Sequence, residues 1–521
     1  MNKMSKPHSN IYVFALDSAE PNIVESLITE DKLPNLKSLR DRGTMAKLKS
    51  AANGFSDAPW LSFNTGVNPG KHGCYNFLEF QRDTREIHRV GANACPTPFF
   101  WSLLAGQGKK IGLFDVPKTV PVGKLEGIQI SGWGEEYPLV KSSSLPANTL
   151  GEINRRFGKY RHPREILNPR FVSQQMKRYL QLLRAVEQKM NAIKFVLEQE
   201  EQWDLFMTSF GEAHYANHLF YHLYERNHWA YNSELASSLD DAIPKIYSEL
   251  DAAVGKLIER IPAESTVIVL SVHGVSTNYS ANHLLPEVLN KLGYQEKPKA
   301  VGTEEKKKVW RDHIPMPIRD MINDWLVPQR IHDKMHSQQF IDSIDWNKSK
   351  AFALPLGHFQ GFVSVNLAGR DSFGNVAPEN YNQVCQQIID DLMGLINPDS
   401  GKPAIKEIFP IAQLVTGERI DRLPDLVIRW AEDVTITRLH HPKFGSVSSD
   451  FYGLRKTQHT GNGFIIAGGG CIKQGAKLSD VRETDLAPTI LHLMGQKIPE
   501  YMDGNVLEEL LESSATVEQE C

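Results

Sequence analysis

The chain has 521 residues, of which 41% are hydrophobic and 23% charged, a composition with ample material for a large core and none of the bias of a disordered chain. Its formal net charge is −4, with Lys and Arg scattered rather than in runs, so it carries no electrostatic footprint for nucleic acid or an anionic membrane. Five cysteines without a CxxC spacing (Cys74, Cys95, Cys385, Cys471, Cys521) argue against a disulfide framework and a thiolate zinc site, and no run reaches the ~18 apolar residues of a membrane span.

From the N-terminus, "NIYVFALD" (10–17) reads as a strand that delivers Asp17 at its end. Only about seven apolar residues precede that aspartate, too few for a signal-peptide core, so the chain is expected to be cytoplasmic. Next comes "GFSDAPWLSFNTGVNPGKHG" (54–73), with a hydroxyl at Ser56 ahead of a Gly-Pro-rich turn. "KIGLFD" (110–115) and "GIQIS" (127–131) read as two further strands. Residues 138–200 are mostly helical, with an amphipathic stripe at Val172, Met176, Tyr179, Leu183, Val186, Met190 and Ile193. "WDLFMTSF" (203–210) is a strand leading into Glu212 and a helix beginning "HYANHLFYH". "STVIVLS" (265–271) leads into Val272 and His273. A polar, Lys-rich interruption spans 280–345, and "NGFIIAG" (462–468), preceded by His459, closes the series. Strands alternating with helical patterns predict an α/β protein with a largely parallel, two-sided buried sheet.

Ligands of open α/β sheets bind beyond the carboxyl ends of the strands, so the residues just after each strand are the ones to question. Four separated segments place a metal-competent group at what should be the same rim: Asp17, His214 with His218, and His273 after strands, and His459 just before the strand at 462–468. His214 and His218 are four apart, which points two imidazoles the same way from one helix face. Alone, such a pair is more often two surface or core histidines, and His222, next on the same stripe, reads as a core or rim residue.

"FSDAPWLSFNTGVNPGKHG" is similar to the nucleophile segment of the alkaline phosphatase superfamily, in its type I phosphodiesterase/nucleotide pyrophosphatase-like branch: a Ser or Thr, here Ser56, stands ten residues before the Gly of TG-x-x-P-x-x-HG (Thr65, Gly66, Pro69, His72, Gly73). "FALDSAEPNIVESLITEDKLPNLKSLRDRG" resembles the branch's first strand, metal aspartate and subsequent helix. "VSVNLAGRDSFGNV" (363–376) and "TDLAPTILHLMGQKIPEYMDGNVL" (484–507) resemble stretches of its predicted phosphohydrolases and phosphomutases. The resemblance implies a three-layer α/β/α sandwich with a mostly parallel central sheet, a single domain over 1–521, with helical insertions at 138–200 and 276–350 forming a cap or lid.

Carried over position by position, it implies Asp17, Ser56 and His273 on one metal, and His214, His218 and His459 on the other, both typically zinc, with manganese as an alternative. The types suit the chemistry. A serine hydroxyl is a poor nucleophile at neutral pH, and coordination to a divalent cation lowers its pKa. Two departures stand out: the branch has D-x-x-x-H where this chain has His214-x-x-x-His218, and S-D-H-G where it has Ser271, Val272, His273 and Gly274. One acidic ligand has become neutral and another apolar, so one tight metal site is expected and a second that is weak or absent, with Glu212 as a substitute ligand. Asn76 stands near where related enzymes place an amide that donates to a phosphoryl oxygen.

The implied activity is hydrolysis of a small-molecule phosphate ester through a phosphoserine intermediate, with no nucleic-acid or membrane partner and a homo-oligomer left open. Two rivals remain: a phosphomutase of the same fold, and a non-catalytic binding protein descended from such an enzyme. A sulfatase is disfavoured, because Ser56 is followed by Asp57, Ala58, Pro59 and Trp60, without the Arg that the modifiable residue needs. His72 reads as a structural hydrogen-bonding residue, Arg370 as a turn salt bridge, and His440 and His441 as solvated loop histidines.

Overall fold

A computed structural model describes residues 10–50, 55, 58–134, 141–161, 163, 171–298, 329–355, 360–449 and 455–512. Its centre is an eight-stranded sheet built from β1 (Ile11–Leu16), β2 (Gly43–Lys49), β3 (Lys110–Phe114), β4 (Glu126–Ser131), β5 (Ser143–Leu145), β6 (Leu205–Phe210), β7 (Thr266–Ser271) and β8 (Asn462–Gly468). The spatial order is β2-β8-β7-β1-β6-β3-β4-β5. The five strands from β7 to β4 run parallel. β8, β2 and β5 are antiparallel to their neighbours at the two edges.

The parallel strands are mainly apolar because both faces are covered. In β1, Tyr12, Phe14 and Leu16 face one hydrophobic core, and Ile11, Val13 and Ala15 the other. Helices α1 (Pro21–Thr29), α2 (Ala58–Thr65), α3 (Val172–Leu197), α4 (Glu212–Tyr224), α5 (Ala242–Ile258) and α6 (Glu483–Leu493) supply most of the cover. On the first face α3 buries Leu182, Val186, Met190 and Ile193 beside α4 and α5. On the second, α2 with Trp60, Leu61 and Phe63 meets α6 with Ala487, Ile490 and Leu491. Each such large apolar side chain stabilises the fold by ~1.5–3 kcal/mol on full burial.

A four-stranded antiparallel sheet stands beside this sandwich, in the order Ala351–Leu354, Gly361–Val365, Leu426–Trp430, Ile405–Pro410. It has cores of its own, and Phe362 packs on Phe55 and Tyr75, with ring centroids 5.8 and 6.0 Å away. The rim segment around the Gly-Pro turn is thereby tied to this second sheet. Arg82 strengthens the tie, donating to Asp371 (2.9 Å) and to the Leu423 carbonyl (2.7 Å).

Where they are described, the segments 138–200 and 276–350 pack against the two sheets. α3 belongs to the helical layer against the central sheet, because its apolar stripe needs that sheet for burial. In the second segment, Leu285, Val288 and Leu289 enter the core of the second sheet, as do Phe340, Ile344 and Trp346. Residues 299–328 lie outside the described residues.

Candidate metal and catalytic site

The carboxyl ends of β1, β6 and β7 lie side by side because those strands pair in parallel register, Leu16 opposite Phe210 and Ala15 opposite Leu270. The segments leaving these ends meet at one rim. Asp17 comes directly after β1, its amide donating to the Phe210 carbonyl at 2.9 Å. α4 starts two residues after β6 and carries His214 and His218 one turn apart. His273 stands two residues beyond β7. The ribbon formed by Gly274–Thr277 and Thr457–Thr460 pairs Val275 with His459 and so brings a residue from far along the chain to the same place.

Three imidazoles converge. His214, His218 and His459 each offer a ligand atom, all within 4.8 Å of one another. The Nε2 atoms of His218 and His459 are 3.1 Å apart. Two nitrogens bound to one tetrahedral zinc at its usual Zn–N length stand roughly 3.3 Å apart, so the spacing fits. His218 Nδ1 lies 2.6 Å from the Thr457 hydroxyl, the outer hydrogen bond that orients a ligating imidazole. Burial, and then the neighbouring imidazoles, push His459 well below its ordinary pKa, so it stands neutral with a lone pair to give. Three imidazoles, one of them oriented from outside, form a donor set suited to a borderline cation such as zinc.

Asp17 sits beside this trio. Its Oδ2 is 3.2 Å from His214 Nδ1 and its Oδ1 3.4 Å from His273 Nε2, while the Trp60 indole N–H donates to Oδ1 at 2.8 Å. Burial alone would raise this carboxyl, but the hydrogen bond from His214 and the fields of His214 and His273 outweigh it and hold it far below the usual carboxylate range. The His273 ring stacks on His459, centroids 4.5 Å apart. Of the expected second metal set, Asp17 and His273 are therefore adjacent, and Ser56 lies outside the described residues. Asn76 is buried in the loop after the Gly-Pro turn, its Oδ1 accepting from Leu78 N at 3.3 Å.

Glu212 is not placed as a substitute ligand. Its Oε1 accepts from the Tyr160 hydroxyl at 2.6 Å, and its carboxyl, raised by burial, faces the ion pair of Lys189 with Asp115 (2.7 Å). The reason is geometric: residues two apart on a helix are about 200° apart around its axis, so Glu212 and His214 look opposite ways.

Val272 is fully buried in the core beneath α2, with Leu270, Ile465 and Trp60. An aspartate there would enter an apolar setting unless a cation drew it out. Val272→Asp is expected to destabilise the metal-free protein by roughly 3–5 kcal/mol. Zinc should restore part of that and a second bound equivalent should appear, read by thermal unfolding with and without metal and by stoichiometry. Two tight equivalents in the unsubstituted protein would contradict the single-site expectation.

The remaining polar residues sort cleanly. His222 stays off the trio, its Nε2 3.1 Å from Lys456 Nζ and its pKa pushed by burial down to about 2. His72 accepts from Cys74 N at Nδ1 and lies 3.1 Å from the Ser62 hydroxyl at Nε2, a structural role. Arg370 is not an exposed turn residue: it grips buried Asp425 with two hydrogen bonds of 2.7 and 2.8 Å. His441 stacks on Phe444, while exposed His440 faces Ser446. Trp60 and Thr457 are the residues that sequence reasoning missed.

The sequence matches the type I phosphodiesterase / nucleotide pyrophosphatase family over residues 12–462. Among solved structures, it resembles phosphonoacetate hydrolase from Sinorhizobium meliloti 1021, in complexes with phosphonoformate (TM-score 0.50) and phosphonoacetate (TM-score 0.51), at 12% identity over 94% of this chain and 97% of that one. It also resembles human ectonucleotide pyrophosphatase / phosphodiesterase 5, with a TM-score of 0.50 and 10% identity over 97% of this chain and 100% of that one. At such identities the likeness establishes the fold. No curated protein matches the sequence.

Proposed function

Because this chain belongs to the type I phosphodiesterase / nucleotide pyrophosphatase family, we propose that it is a metal-dependent phosphate-ester hydrolase working through a phosphoserine on Ser56. The observation that carries this reading is the convergence of His214, His218 and His459 within 4.8 Å, although His218 and His459 are 241 residues apart in sequence. A divalent cation, zinc by the chemistry of the donors, would supply Lewis-acid polarisation of a phosphoryl oxygen there. The chain's own residues do the rest. Ser56 Oγ forms the bond to phosphorus as the ester oxygen leaves, and water then breaks the Ser56–phosphorus bond to release phosphate or a phosphomonoester. Asp17 orients His214, Thr457 orients His218, and Asn76 is assigned to the phosphoryl oxygen.

The substrate is taken to be a small phosphate ester, the compartment the cytoplasm, and no nucleic acid or membrane is involved. Among the described residues no helix is long and apolar enough to cross a membrane. The test is metal analysis of the purified protein with a panel of aryl phosphate monoesters and diesters. Hydrolysis of at least one class is expected, lost on chelation and restored by zinc or manganese. Zinc-loaded protein that turns over no ester would favour the non-catalytic reading, and intramolecular phosphoryl transfer without release would favour the mutase.

A further inference from the structure

Glu79 is a carboxyl that the fold buries without a counter-ion. It is 2% exposed and lies in the short strand Leu78–Phe80, which pairs antiparallel with Ile87–Arg89. His88 stands opposite it across this ribbon, but His88 is exposed and lies 2.7 Å from Glu86 instead. No ion pair compensates Glu79 among the described residues, where Arg422 and Lys118 act on it through their fields. Taking such a group out of water is costly, and burial accordingly pushes its pKa up to about 7.

What Glu79 holds is the loop between the Gly-Pro turn and the ribbon. Its Oε1 accepts from Tyr75 N at 2.9 Å, and the backbone N–H of Asn76 also donates to the carboxyl. The Tyr75 ring is secured separately: it is buried, meets Phe55 and Phe362 edge-on with centroids 5.9 and 6.0 Å away, and its hydroxyl accepts from Phe80 N at 3.2 Å. Two consecutive N–H groups turned to one carboxyl fix the peptide planes on both sides of Tyr75, and with them the direction in which the Asn76 side chain leaves the backbone. Leu78 N then donates to Asn76 Oδ1 at 3.3 Å. An N–H meets only an oxygen, so this bond settles which end of the amide is which, and the donor end points away from it.

We propose that Glu79 is a positioning residue for Asn76: its carboxyl accepts the N–H groups of Tyr75 and Asn76 and so holds the Asn76 side-chain amide in the orientation from which it donates to a phosphoryl oxygen. Resting on the reading above, Asn76 is the donor and Glu79 acts only through it. A buried carboxyl without a counter-ion thereby acquires a use beside the reacting group, one that the ribbon itself does not require.

Inorganic phosphate is the probe, because its binding to the zinc-loaded protein reads the Asn76 donor without turnover. Asn76→Ala should weaken that binding about tenfold, the scale of one hydrogen bond to a charged oxygen. Glu79→Ala should cost about as much, and the double variant no more than Asn76→Ala alone. On any ester the protein hydrolyses, kcat of Glu79→Ala should fall more steeply than KM rises, since the oxygen gains charge in the transition state. Glu79→Gln keeps an acceptor oxygen at the same reach and should recover most of both losses, whereas Glu79→Asp, one carbon shorter, should not. That second pair of variants decides the question even where Glu79→Ala fails to fold. Phosphate binding with this coupling but no ester turned over would support the positioning role and remove the hydrolase reading. Losses that simply add in the double variant, or a zinc-loaded parent protein that binds no phosphate, would overturn the proposal whatever the turnover.

Discussion

Ser56→Ala is expected to lower kcat at least ~10³-fold on every ester the protein accepts, a loss of ~4 kcal/mol of transition-state stabilisation, while zinc content and the thermal midpoint stay close to those of the parent protein. The size of the loss comes from the covalent route: without Oγ there is no atom to form the phosphoryl-enzyme bond, and what remains is the slower attack of water. Its selectivity comes from the structure. The zinc-competent trio is drawn from α4 and the Thr457–Thr460 strand, so tight metal binding does not depend on Ser56. Downstream, α2 is entirely buried from Ala58 to Thr65, so the helix after Ser56 is secured by packing that a hydroxyl does not provide. Acid quenching during turnover should trap phosphate on the parent protein and none on Ser56→Ala. Near-normal hydrolysis in Ser56→Ala would show that another group attacks phosphorus, and a parallel loss of zinc would show that the serine serves the metal instead.

The central sheet was legible because parallel strands buried on both faces read as continuous apolar runs: each of the six expected strands corresponds to one in the sheet. β2 was not legible, since as an edge strand it buries only Gly43, Thr44 and Leu48 and shows neither a run nor an alternation. The second sheet was also missed. Its strands are short, and "GFVSV" and "LVIRW" fit a buried helix segment as well as a strand by periodicity alone.

At the rim, three of the four metal-competent segments could be found just past the carboxyl end of a strand and the fourth, with His459, just ahead of 462–468, and the structure places all of them together. The residues that orient them carry weaker signals. Thr457 and His459 are two apart on one strand and so share a face, a relation that becomes visible only once 457–460 is known to be a strand. Trp60 reaches Asp17 from α2, 43 positions away, and no local pattern announces that. Glu212 was the opposite case: the helix geometry that turns it away from His214, toward Tyr160, was already implied by the sequence.

His218→Ala is expected to weaken the first zinc equivalent by more than ~10²-fold, beyond the cost of losing an orienting residue, because it removes one of three protein donors. His218 is the member best placed for this test. It is buried, its Nε2 is 3.1 Å from that of His459, and its Nδ1 is engaged by Thr457, so a substitution leaves no alternative imidazole in the same position. Thermal unfolding gives a second reading: zinc at about a hundred times its Kd raises the stability of the parent protein by ~2.7 kcal/mol, and that increment should vanish in the variant. His222→Ala supplies the contrast. It lies one turn further along α4, faces Lys456 rather than the trio, and should keep the parent zinc affinity despite removing another histidine from the same helix. Equal losses in the two variants would mean that α4 as a whole, through its packing, controls metal uptake. Loss in His218→Ala alone would tie the metal to three imidazoles drawn from two distant parts of the chain, and would make the replacement of the usual aspartate by His214 a change of ligand rather than the loss of one.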